Sequence, residues 1–156
     1  MNIEKGDKVK TPSGQPGEVI DYEYDRLFSG ILDNPRMKVK LAGSGEIKTF
    51  SQNELTLLGK KPDLKQVLEA LNNIKQQINS KNIVNLQKRE KDELNTHVGY
   101  IEEYIQDQNK IKKDLAMSNL NFVEQTLKAL SATSWAAIKD NLETIRWWDR
   151  YNQQTN

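Results

Sequence analysis

LLGKKPDLKQ, residues 57–66, is where the chain changes its period. Upstream of Gly59 lie six of the eight glycines and three of the four prolines, and apolar side chains alternate with polar ones. Downstream of Pro62 only Gly99 interrupts, and apolar residues return every three or four positions. Alternation at period 2 gives a strand one buried and one wet face, and a return near 3.6 does the same for a helix. The chain therefore reads as α+β. The expected divisions are a five-stranded β-barrel at 1–59, a linker at 60–62, an antiparallel helical bundle at 63–151 and a disordered tail at 152–156.

Strands are expected at 7–11 (DKVKT), 17–24 (GEVIDYEY), 36–42 (RMKVKLA), 46–50 (EIKTF) and 55–58 (LTLL). Met37, Val39 and Leu41 alternate with Lys38 and Lys40, which defines an inner and an outer face. AGSGE is a tight hairpin turn, and TPSGQPG is an irregular loop whose prolines withhold backbone donors from a ladder. Five short strands packed between Asp7 and Leu58 suit a small, strongly bent barrel.

In the second half Asp63 and Gln66 spell a capping box, followed by an apolar face at Leu64, Val67, Leu68, Leu71, Ile74 and Ile78. NSKN ends that helix. A long helix is expected over 83–116, striped by Leu94, Val98, Ile101, Ile105, Ile111 and Leu115. Asn121 and Glu124 spell a second box opening a short helix with Phe122, Val123, Leu127 and Leu130. SATS then caps a last helix carrying Trp135, Ile138, Leu142, Ile145 and Trp148. Short loops between amphipathic helices make antiparallel neighbours, hence three or four helices. The same stripes would serve an interchain coiled coil, so a homo-oligomer through the helices stays open.

Twenty-three basic against 22 acidic residues leave a net charge of +1. The stretch from Met1 to Lys60 holds nine of each sign, so neither half is the polycation expected of a nucleic-acid binder. The absence of cysteine removes disulfides and thiolate chemistry. The opening MNIEKGDKVK lacks the apolar core of a signal peptide, and no apolar run reaches about 18 residues. These features point to a cytoplasmic protein without a membrane partner.

The motifs GDKVKTPSGQPGEVI, KVKL, GEIKTF and NELTLL resemble the SH3-like small barrels of the Tudor and KOW type. They are similar above all to the Tudor-like domain that ends bacterial repair helicases of the UvrD/PcrA kind. Gly6, Asp7 and Val9 match its opening, Gly17 and Val19 its second strand, and Val39 and Leu41 its third. The resemblance runs from Ile3 to Leu58 and implies a binding role toward proteins, nucleic acid or modified side chains. The helical half resembles no family, and the connection after the second strand is longer than that family's.

That connection holds Leu27, Phe28, Ile31 and Leu32, spaced as one face of a helical turn. The loop at 25–36 either plugs the barrel or packs on helices, or it docks a partner protein. Tyr22, Tyr24 and Phe50 are candidates for an aromatic cage around a cation. Arg146, Trp147, Arg150 and Tyr151 form an aromatic–arginine cluster of the kind enriched at binding hot spots. Lys8, Lys10, Lys38 and Lys40 point outward from two strands and would make a basic strip for nucleic acid. His97 is the sole histidine, and no phosphate-binding, dinucleotide, zinc-protease or nucleophile-elbow motif occurs. No catalytic residue, metal or cofactor is assigned. The expected role is a non-enzymatic protein–protein interaction adaptor, bacterial or phage-encoded, with a nucleic-acid-associated factor as the alternative.

Overall fold

A computed structural model of the chain describes residues 2–23, 36–80, 86–107, 113–130 and 132–151. Two compact units divide it, one comprising Met1–Lys61 with Arg150–Asn156, the other Pro62–Asp149. The architecture is α+β, with one five-stranded antiparallel sheet and four helices. The expected tail at 152–156 lies outside the described residues.

The sheet contains β1 (Lys8–Lys10), β2 (Pro16–Glu23), β3 (Arg36–Leu41), β4 (Ile47–Ser51) and β5 (Thr56–Gly59), in the order β4-β3-β2-β1-β5. Among the described residues no pairing of β4 with β5 closes the expected barrel, and these two strands stand at the ends of the order. Val9, Val19, Met37, Val39 and Leu41 fill the inner face, joined by Ile3 and Leu55. The β3–β4 turn follows the glycines: Gly43 and Gly45 have φ of 89° and 71°, left-handed values that side chains resist. Pro16 departs from the expected loop. It opens β2 opposite Lys10, a position where a strand tolerates a missing donor, and its carbonyl accepts from the Ala42 amide at 3.0 Å.

Asp7 is 1% exposed yet ionisable, and three donors satisfy it. They are the Glu4 amide at 2.8 Å, the Lys61 amide at 3.0 Å and the Lys60 ammonium at 2.9 Å. The hydrogen bond to Asp7 holds the Lys60 ammonium above its ordinary value.

In the bundle α1 (Leu64–Asn79) starts on the expected box: the Asp63 carboxylate accepts from the Gln66 amide at 2.8 Å, and the Gln66 side chain returns the bond at 3.0 Å. Then follow α2 (Lys88–Gln106), α3 (Lys113–Leu130) and α4 (Ala132–Tyr151). Val67, Leu71, Ile74 and Ile78 meet Leu94, Val98, Ile101 and Ile105, together with Leu120, Val123, Leu127, Ile138, Leu142, Ile145 and Trp148, in one core. Asn79 and Asn95 exchange amide hydrogen bonds at 3.2 and 3.0 Å between α1 and α2. Asn73 reaches Asn141 at 3.3 Å, so α4 returns beside α1.

Three helix expectations are corrected. The single helix over 83–116 is broken, since α2 stops at Gln106 and α3 begins at Lys113. No apolar residue separates Ile105 from Ile111, too long a gap for a buried stripe, and Asp107 caps the end by donating its amide to the Glu103 carbonyl at 2.8 Å. Asn121 opens no helix. It lies inside α3, whose buried stripe Ala116, Leu120, Val123 and Leu127 runs through it, so apolar burial outweighs the local capping signal. That stripe leaves Leu115, expected in the core, 54% exposed. Of SATS, α4 begins at Ala132, and Ser131 directly before it lies outside the described residues.

Gly17 sits where β2 passes closest to β3. An added Cβ there would meet Val39 Cγ1 at 2.6 Å and the Lys40 carbonyl oxygen at 2.8 Å. Gly17→Ala is expected to destabilise the sheet unit by about 1–3 kcal/mol through overpacking. Faster exchange of the Val9 and Val19 amides at unchanged exchange across α2 would register this; unaltered strand amides would refute it.

Candidate interaction surfaces

The outer face of the sheet is a ladder of opposite charges. Register sets Glu18 across from Lys40, Asp21 from Lys38 and Glu23 from Arg36. Glu18 also lies across from Lys8 on its other side, so a carboxylate separates Lys8 from Lys40. Lys10 stands apart, across from Pro16 and Thr56. The four lysines are thus on the outer face as expected, but β2 places acids among them. Oppositely charged cross-strand neighbours each contribute roughly 0.2–1 kcal/mol to strand pairing.

Of the aromatic trio, Tyr22 and Phe50 share the inner face with buried Met37 between them, since Met37 pairs with both. Both pack on the sheet core, and the Tyr22 hydroxyl accepts from the Lys5 amide at 2.8 Å. Tyr24 and the docking candidates Leu27, Phe28, Ile31 and Leu32 lie outside the described residues.

The contacts described for the aromatic–arginine cluster differ from residue to residue. Arg146 binds Asn121 at 2.7 Å and pairs with Glu124, both on α3. Trp147 is half-buried. Arg150 and Tyr151 belong to the sheet unit, where both engage Glu18, Arg150 at 2.7 Å and the Tyr151 hydroxyl at 2.6 Å. The Tyr151 ring also lies beside Gly6, whose φ of 98° and lack of Cβ leave room for it; a Cβ would come within 3.0 Å of Tyr151 Cγ. Burial first, and then the hydrogen bond to Glu18, pushes the Tyr151 phenol above its ordinary value. Tyr104 in the bundle is raised for the same reasons, burial and a 2.7 Å hydrogen bond to Asp149, itself paired with Lys113 at 3.4 Å.

A surface that sequence reasoning missed lies along α2 and α3. Among the described residues Tyr100, Leu115 and Phe122 are three of six large apolar side chains left exposed, at 44%, 54% and 37%. The two helices run antiparallel, because His97 meets Asn119 while Tyr104 and Lys113 both reach Asp149. Leu115, Asn119 and Phe122 fall within about 60° of one another around α3, at roughly 100° per residue. The signal was available: stepping by four from Ala116 rather than from Leu115 leaves these three on a flank of the core stripe.

Asn119 anchors this face. It is buried, its amide nitrogen donates to the Leu115 carbonyl at 2.8 Å, and its oxygen therefore points at His97 Nδ1. An amide oxygen only accepts, so Nδ1 carries the proton and Nε2 of the neutral ring is the acceptor. The His97 ring lies over Phe122 with centroids 4.1 Å apart and planes 32° from parallel. Chemically the face offers an apolar strip edged by an imidazole and a phenol. Among the described residues no group of three or more His, Asp or Glu is placed to hold a metal ion, and no helix is long and apolar enough to cross a membrane.

Two outcomes are expected. Imidazole nitrogen shifts should report the Nδ1–H tautomer for neutral His97, and Asn119→Asp should leave it in place whereas Asn119→Leu should release it; an Nε2–H ring in the native protein would overturn the assignment. On the alkaline side, phenols held protonated by folding stabilise the protein below their unfolded value of about 10, and that stability is lost as pH rises beyond it. The raised Lys60 ammonium acts in the same direction. Urea midpoints should therefore fall from about pH 9 to about pH 11, and Tyr104→Phe and Tyr151→Phe should each flatten that fall; slopes unchanged from wild type in both variants would contradict it. No family model, no curated protein and no solved structure matches this chain, so the placement of its own residues carries the functional reading.

Proposed function

We propose that this chain is a non-enzymatic protein–protein interaction module, in which the sheet unit is an SH3-like barrel of the Tudor or KOW type and the bundle presents the principal docking face. The observation that carries the reading is the exposed strip of Tyr100, Leu115 and Phe122 around the buried Asn119. Burying a large apolar side chain fully is worth roughly 1.5–3 kcal/mol, so three half-exposed ones on two neighbouring helices favour a covered state. Supporting the barrel is the strand order, in which β5 returns beside β1 after a β1–β4 meander. The apolar loop at 25–36 is retained as a second docking element on its sequence pattern. The partner is a protein of cytoplasmic machinery with an apolar patch of its own.

The nucleic-acid alternative rests on the lysines of the outer sheet face. Register places a carboxylate across from three of the four, which weakens the field a phosphate backbone would meet.

The test pairs capture with location. Native lysate is passed over wild type, Leu115→Asp, Phe122→Asp and Lys38→Glu/Lys40→Glu, with and without nuclease and across salt. A surface change of this kind should alter stability by no more than about 0.5–1 kcal/mol. A protein retained in high salt and after nuclease, and lost at least about tenfold with both α3 variants, supports the module. Capture abolished by nuclease or by the lysine variant, with the α3 variants unaffected, sinks it.

A further inference from the structure

β4 is an edge strand with a regular ladder. Leu41 donates its amide to the Glu46 carbonyl at 2.8 Å, which fixes the phase of the β3–β4 pairing. Alternation then directs the backbone groups of Lys48 and Phe50 toward β3, and those of Ile47, Thr49 and Ser51 away from it. Among the described residues nothing bonds to the outward backbone groups of Ile47 or Thr49; the Ser51 amide is taken by Glu54 at 3.0 Å. The opposite edge is blunted, because β5 carries a register shift against β1 between Lys8 and Val9, whereas β3 and β4 pair without one. β4 also lacks proline and leaves Ile47 54% exposed.

We propose that two copies of this chain pair edge to edge through β4, antiparallel about a twofold axis at Thr49. Outward groups must meet outward groups, and a twofold on Thr49 does this: Thr49 faces Thr49 of the second copy and Ile47 faces its Ser51. The Ser51 amide being occupied, the pairing makes four backbone hydrogen bonds: two between the Thr49 residues, and one from each Ile47 amide to the opposing Ser51 carbonyl. Side chains favour this register over the one centred on Lys48. A twofold on Lys48 would set that ammonium against its own copy in the closer type of pair, which like charges oppose. The Thr49 register instead sets Lys48 across from Phe50, where an ammonium can approach a ring face, and threonine across from threonine. The occupant of the edge is therefore a second copy of this chain. The surface differs from the α2–α3 face, so each proposal stands or falls without the other.

The test uses the full chain. Sedimentation equilibrium of wild type should show a mass rising with concentration from 18.0 kDa toward twice that value. Between dilute and concentrated samples the Ile47 and Thr49 amides should slow in hydrogen exchange by at least about tenfold, while the Phe50 amide, already bonded to β3, stays unchanged. Thr49→Pro removes only an outward donor, which an edge strand tolerates, and should remain a folded monomer. Were that variant to unfold, the amide measurement on wild type would decide alone. A monomer at all concentrations overturns the proposal, as does a dimer whose Thr49 amide never slows or one that survives Thr49→Pro in folded form.

Discussion

A carboxylate with 1% of its surface in water has to be met by donors, and Asp7 finds them at both ends of the sheet segment. Glu4 lies just before it, whereas Lys60 and Lys61 come 53 and 54 positions further on. Satisfying one buried charge thus closes the base of the whole excursion from β1 to β5. The closure brings the end of β5 beside the start of β1, which is the pairing that makes a meander of four strands into a five-stranded sheet.

On the opposite face of that sheet, charge chooses partners and shape chooses register. β2 carries Glu18, Asp21 and Glu23 outward, and β3 carries Arg36, Lys38 and Lys40. With acids on one strand and bases on the next, sliding by two positions would still set opposite charges together. Electrostatics therefore specifies which strands lie side by side without fixing their offset. The offset comes from the irregularity between Val19 and Asp21, which realigns the two strands, and from the close approach at Gly17. Salt should loosen the first kind of specification and leave the second intact.

Much of this was legible in the residues. The change of period at 57–66, the Asp63–Gln66 box and the glycine turn at 43–45 are local signals, complete within a few positions, and each appears where its chemistry requires. Asn121 shows where local reading stops. It carries the same cap signature as Asp63, yet a buried stripe on the neighbouring helix face overrode it. Arg146 and Arg150 show a different limit: an exposed-looking arginine in sequence acquires a partner 22 or 132 positions away, and no spacing rule predicts that distance. The α2–α3 strip was missed because one residue of phase separates Leu115 from the stripe that is buried.

All three tryptophans, Trp135, Trp147 and Trp148, reside on α4, and none lies upstream of Pro62. Indole emission is consequently a local witness. It follows the fate of one helix, whose last two residues belong to the sheet unit, and no strand carries an indole of its own. An unfolding curve recorded in that light alone follows that helix, and a probe on the strands has to accompany it before both units are credited with one cooperative transition.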